Sequence, residues 1–221
     1  MNKPLIFKLL FATAVLTSCH NSSNLQNGDL LFVGNPIDHN ATDDGSINSA
    51  ITAATGRNGE VNYTHVAIVE VDTNGNIWII DATPSRGVDR HPLDTFLSDF
   101  RMPDGSYPII DIKRLKNKMF RSDFILRAKQ FCGRDYDLYF LPDNEEKYCS
   151  ELVRDAYVAQ DGEPLFHAQP MNFKNKDGTF PKYWIELFEQ LQQPIPQDIP
   201  GTNPNDLSKE QCLEYVGSLQ P

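Results

Sequence analysis

The stretch Thr64-His65-Val66-Ala67-Ile68-Val69-Glu70-Val71, followed by Asp72-Thr73-Asn74-Gly75-Asn76 and Ile77-Trp78-Ile79-Ile80-Asp81-Ala82, decides how the chain folds. Two runs of β-branched and aromatic residues flank a turn containing Asn74-Gly75, the pair best suited to the positive φ angles of a tight hairpin. With Val71 opposite Ile77, Ala67 faces Asp81 and His65 faces Thr83. Strand alternation then puts His65 and Asp81 on one face of the sheet as diagonal neighbours. At that range the carboxylate can bond the imidazole and fix its tautomer. Taken alone, Asp81 equally fits a strand-end residue capping the loop at 83–85.

A second stretch, Lys147-Tyr148-Cys149-Ser150-Glu151-Leu152-Val153, opens a helix predicted over 148–160. Cys149, Leu152, Val153, Ala156 and Tyr157 share one face of it, so Cys149 sits in the first turn and points at the protein body. Unpaired backbone N–H groups and the positive end of the helix dipole favour a thiolate there. A small buried hydrophobe has the same pattern. Paired with His65 and Asp81, however, Cys149 completes a nucleophile, base and orienter.

Around these stretches the remaining elements fall into place. Leu30–Val33 reads as a short strand after the turn Asn27-Gly28-Asp29, and Ser46 caps a helix over 47–55. Residues 83–90 read as loop, 92–100 as a helix begun by Pro92, 109–114 as a strand, and 122–132 as a helix ended by Gly133. Residues 134–147 form a loop dense in Tyr, Asp and Glu. The tail reads as two helices, 183–191 and 208–216, separated by the proline-rich 193–204. The fold class is α+β: one small antiparallel sheet or barrel with helices packed at one side, in a single domain over 27–221 with a C-terminal helical extension from about residue 162.

Composition narrows the function. At 221 residues, 40% hydrophobic and 13 Phe, the chain can build a core without disulfides, which excludes a disordered or repetitive fibrous protein. A net charge of −10 and the lack of a Lys/Arg stripe argue against nucleic acid as a partner. Four cysteines without Cys-x-x-Cys spacing make neither a disulfide scaffold nor a structural zinc site. No metal or cofactor is expected. His39, His65 and His91 lack His-x-x-x-His spacing, Gly56-Arg57-Asn58-Gly59 lacks a P-loop's Lys-Ser/Thr, and Asp143-Asn144-Glu145-Glu146 lacks EF-hand spacing. His20 falls in the tether, and His39, His91 and His167 in loops without strand or helix partners.

The N-terminus reads as an address. Lys3 and Lys8 precede the apolar run Leu9–Leu16, too short to span a bilayer and suited to a signal-peptide core. Leu16-Thr17-Ser18-Cys19 resembles the lipobox of bacterial lipoproteins, which implies cleavage after residue 18 and acylation of Cys19. Residues 19–26 then form a polar tether. Losing 1–18 removes two lysines and no acid, leaving the mature chain two charges more acidic. The expected location is the cell envelope, with lipid at Cys19 holding the protein to a membrane.

Four motifs in order carry a family resemblance: Gly28-Asp29-Leu30-Leu31-Phe32; Thr64-His65-Val66-Ala67-Ile68-Val69; Ile79-Ile80-Asp81-Ala82 with Gly87-Val88; and Tyr148-Cys149-Ser150-Glu151-Leu152-Val153. Together they resemble the NlpC-type papain-like cysteine hydrolases over about residues 27–160. The histidine strand precedes the cysteine helix, which resembles the circularly permuted, YiiX-like branch, as does Gly133-Arg134-Asp135-Tyr136-Asp137-Leu138-Tyr139-Phe140. The resemblance implies a papain-like fold and a peptidase or amidase in which Cys149 is the nucleophile, His65 the base and Asp81 its orienter, at a position often held by Glu. The N–H of Cys149 would serve an oxyanion hole, and Tyr63, Tyr136, Tyr148 and Ser150 are candidates for substrate or oxyanion contact. The implied substrate is a peptide, amide or acyl compound of the envelope. A non-catalytic lipoprotein using the scaffold to bind cell-wall fragments or a partner is the alternative, and it predicts a Cys149 sulfur and His65 ring too far apart to meet. Cys132 and Cys212 are left as either a disulfide or two buried thiols.

Overall fold

A computed structural model describes residues 25–36, 45–56, 61–117 and 121–221. The signal segment, Cys19, His20 and His39 lie outside them. The elements are β1 (Leu30–Pro36), α1 (Ile47–Thr55), β2 (Val61–Val71), β3 (Ile77–Thr83), β4 (Gly87–Pro92), α2 (Leu93–Phe100), β5 (Ile109–Leu115), α3 (Arg121–Gln130), α4 (Cys149–Ala156), β6 (Gln169–Pro170), α5 (Lys182–Leu191), β7 (Pro200–Gly201), α6 (Pro204–Leu207) and β8 (Leu213–Ser218). Six strands form one sheet in the order β4-β3-β2-β1-β5-β8, with every neighbouring pair antiparallel. The β2–β3 hairpin has the expected register, Val71 opposite Ile77 and Ile68 opposite Ile80.

Helices cover both faces of the sheet, not one. Leu30, Phe32, Val66 and Ile68 pack against α3 and α4 through Phe124, Leu152 and Val153. On the other face Leu31, Ala67, Val69 and Ile79 pack against Phe96 and Leu97 of α2. This explains why β2 is buried along nearly its whole length, whereas a half-solvated strand alternates. A third cluster joins Ala50 of α1, Phe140 and Tyr148 to Phe173, Trp184 and Phe188 of the tail.

Three expected elements differ. Residues 87–92, read as the end of a loop and the start of a helix, form the edge strand β4, with Ile79 opposite His91 and Asp81 opposite Asp89. Gly87 makes the preceding turn possible: its φ is +66°, and a Cβ there would come within 2.2 Å of the Arg134 carbonyl oxygen. The helix predicted over 148–160 stops at Ala156, where Arg127 Nε donates to the Ala156 carbonyl at 2.9 Å and so takes an acceptor that a continuing helix would use. Residues 208–216 do not form a helix. Lys116 N donates to the Cys212 carbonyl at 2.9 Å, and Leu213–Ser218 completes the edge of the sheet beside β5. That segment is helical in composition, but pairing with an exposed strand edge outweighs so weak a preference. The tail is therefore no helical appendage. It supplies a strand of the main sheet.

Candidate active site

His65 owes its orientation to a bulge. Along β1, Val33 pairs with His65 but Gly34 pairs with Tyr63, which leaves Thr64 as the extra residue. A bulge reverses which face the preceding residue occupies. His65 stays with Ala67 and Val69 on the α2 face, its ring centroid 5.2 Å from that of Phe100. Tyr63, expected near the substrate, instead turns to the α4 face, where its hydroxyl donates to Asp111 Oδ2 and its ring packs on Phe32. Tyr63 lies outside the cleft that holds Cys149 and His65.

Asp81 reaches His65 as the diagonal geometry predicts. His65 Nε2 lies 2.8 Å from Asp81 Oδ2, and the carboxylate is 1% exposed. Its second oxygen, Oδ1, is 3.0 Å from Nε2 of His91, which is buried on β4. The sequence reading put His91 in a loop and missed this contact. The available signal was its place on a strand following a Pro84–Gly87 turn. Burial alone would raise the Asp81 pKa, but hydrogen bonds from His65 and then His91 hold it well below the usual carboxylate range.

With Asp81 on Nε2, the other face of His65 opens on the cleft that Cys149 also lines, near enough for the thiol to bear on the ring's protonation. Burial opposes charge on His65, yet the bond to Asp81, the neighbouring Cys149 and the charge of Asp81 prevail, raising its pKa to about 10. Cys149 is the first residue of α4, buried among Leu152 and Val153. Tyr148, at the N-cap, makes no side-chain cap hydrogen bond, so no cap occupies the first-turn N–H groups. A hydrogen-bonded imidazole and carboxylate thus share a cleft with a thiol at a helix N-terminus, an arrangement that can activate sulfur and stabilise a developing oxyanion.

Two cavities meet at Cys149. One, lined also by Thr64, His65, Ser85, Arg86 and Asp99, has a volume of about 300 Å³. The other, about 40 Å³, is walled by Tyr136, Phe140, Tyr148, Met171, Phe173 and Trp184. Tyr136 lines both, and burial first and then the nearby Cys149 raise its pKa well above the ordinary tyrosine value. Tyr148 lies in the second, its hydroxyl accepting from Thr202 N at 3.1 Å. Ser150 is also there, with an Oγ buried and without a hydrogen-bond partner among the described residues. Cys132 and Cys212 are free thiols, each half-buried. No group of three or more His, Cys, Asp or Glu among the described residues is placed to hold a metal ion.

Over residues 24–217 the sequence matches the family described as permuted papain-like amidase enzyme, YaeF/YiiX, C92 family. The chain belongs to this family. The match runs through the tail, beyond the limit near residue 160 expected from the motifs, in keeping with β8 being part of the sheet. The C92 fold is also seen in the crystal structure of metalloprotein YiiX from Escherichia coli O157:H7. That structure is 21% identical and covers 89% of this chain and 98% of its own, with a TM-score of 0.64. No curated protein matches the chain. A permuted papain-like amidase family accounts for the histidine strand preceding the cysteine helix, and it makes hydrolysis the chemistry to which this fold belongs.

Proposed function

We propose that this C92-family chain is a cysteine amidase or peptidase in which Cys149 Sγ attacks the carbonyl of an amide or related acyl bond. The carrying observation is the His65–Asp81 hydrogen bond at 2.8 Å in the one cleft that Cys149 and His65 both line. The thiol proton passes to His65 as the carbon–sulfur bond forms, and His65 returns it to the leaving nitrogen as the carbon–nitrogen bond breaks. Water then attacks the thioester, giving a proton to His65. The carbon–sulfur bond breaks, the proton returns to sulfur, and a carboxylic acid leaves. The Cys149 N–H would hold the oxyanion. Tyr136 is the tyrosine best placed to assist, since it lines both cavities beside the sulfur.

A purified protein that cleaves muropeptides or simple acyl amides, with Cys149→Ala slower by about 10³-fold or more, is the expected result. Equal rates for the two proteins would sink the reading. The alternative of a binding scaffold asks for a thiol and an imidazole held apart; against it stands the single cleft that Cys149 and His65 both line.

The envelope location, with cell-wall peptide or another envelope compound as substrate, rests on Lys3, Lys8, the run Leu9–Leu16 and Cys19. Metabolic labelling with an alkynyl fatty acid should mark the wild type and not Cys19→Ala. Labelling of both would remove the lipid anchor from the proposal.

The structural neighbour is described as a metalloprotein. The nearest comparable cluster here is Asp81 with His65 and His91. Both Nε2 atoms are already bonded to Asp81, and Arg86 Nη2 stands 3.4 Å from His91 Nε2, where its charge opposes a cation. These residues do not fit a metal, and no step is routed through one.

A further inference from the structure

We propose that the aromatic-walled cavity beside Cys149 is the acyl-side pocket and selects an uncharged, apolar acyl group, while the leaving amine departs through the cleft lined by His65, Arg86 and Asp99. The inference rests on the cysteine-amidase reading and adds direction to it.

The direction follows from where His65 stands. A departing nitrogen must receive its proton from His65, so the leaving group lies on the His65 side of the sulfur. His65 lines the larger cleft and not the smaller cavity. The acyl substituent, bonded to the same carbon, extends the other way.

The walls decide what enters. Among the described residues no Asp, Glu, Lys, Arg or His side chain lines the smaller cavity, in a chain whose residues are 23% charged. Aromatic rings from the 134–147 loop and α5 form it, with Ile51 and Ala54 of α1. A charged acyl group entering it would lose its hydration with no counter-charge in return. Three lining side chains, Ser150, Trp184 and Thr202, also keep a buried polar atom, Oγ, Nε1 and Oγ1, without a partner among the described residues. A hydrogen-bond acceptor on the acyl group would remove that cost. The larger cleft is the opposite in character, with the Arg86–Asp99 ion pair at 2.7 Å and hydroxyls from Thr83 and Ser85, and it suits a polar or charged amine.

The test uses the purified full-length protein and three p-nitrophenyl esters, of acetate, 3-phenylpropionate and succinate. These are reactive enough to acylate a thiol without help. Acylation of Cys149 is followed by intact mass and normalised to the rate with free glutathione. The expected order is phenylpropionyl above acetyl and succinyl by at least about tenfold. Ala54→Phe, which fills the cavity from the half-buried face of α1, should collapse that ratio, and Arg86→Ala in the other cleft should leave the ratio unchanged. Equal normalised rates, a preference for succinyl, or a ratio indifferent to Ala54→Phe overturns the acyl pocket alone. Absence of any Cys149 adduct overturns the cysteine-amidase reading and the inference with it.

Discussion

Asp81 is asked to hold two imidazoles at once, and the consequences can be measured one residue at a time. His65 and His91 each take one carboxylate oxygen. Asp81→Asn should therefore leave the thiol in place while lowering turnover by about 10²–10³-fold, because an amide no longer fixes the His65 tautomer or balances its charge. His91→Phe should cost less, about tenfold, since it loosens Asp81 without touching His65; steady-state rates on the best acyl substrate check both. Iodoacetamide labelling of Cys149 at pH 6–7 should be about tenfold faster in the wild type than in His65→Ala. Equal labelling rates would mean that the imidazole does not activate the sulfur. Cys149, His65 and Asp81 were all legible in the sequence, because each is tied to a strongly patterned helix or strand. His91 was not, since a short edge strand with one inward apolar residue, Val88, does not stand out from a loop.

Helix α4 carries a second titrating group, in the same turn as the cysteine. Glu151 is 5% exposed, and burial pushes its carboxyl up to about 7, against the pull of Lys147. A carboxyl raised by folding favours the folded state while protonated. Its contribution is therefore full below pH about 4.5 and is lost as pH rises through about 7. Urea unfolding between pH 5 and 8 should show this loss, on the order of 1–3 kcal/mol, and Glu151→Gln should flatten it. At β4, Gly87→Ala should destabilise by more than about 1 kcal/mol, because the turn needs a positive φ and the Arg134 carbonyl leaves no room. Element positions were readable wherever a hydrophobic period was strong, as in β2, β3, α1 and α5. The end of α4 and the state of 208–216 were not, because an arginine from α3 and a free edge of β5 decide them.

Across the whole molecule, the tail closes the fold and walls the site. Asn205 Oδ1 accepts from Tyr63 N at 2.9 Å while its Nδ2 donates to Thr55 Oγ1 at 2.9 Å, joining the tail to β2 and α1. Asn205→Ala should cost about 1–3 kcal/mol in thermal or urea unfolding, the price of a buried N–H left without an acceptor. By itself the sequence determined the α+β class, the β2–β3 register with His65 beside Asp81, and the place of Cys149 at the start of α4, since local periodicity and a two-residue turn set those. Only tertiary structure decided that Tyr63 turns to the α4 face and out of the cleft, that His91 braces Asp81, and that the tail supplies β8 and the aromatic wall. Each depends on a partner far away in the chain, a bulge opposite Gly34, an edge beside β3 or an edge beside β5, and no local pattern encodes which distant partner is free.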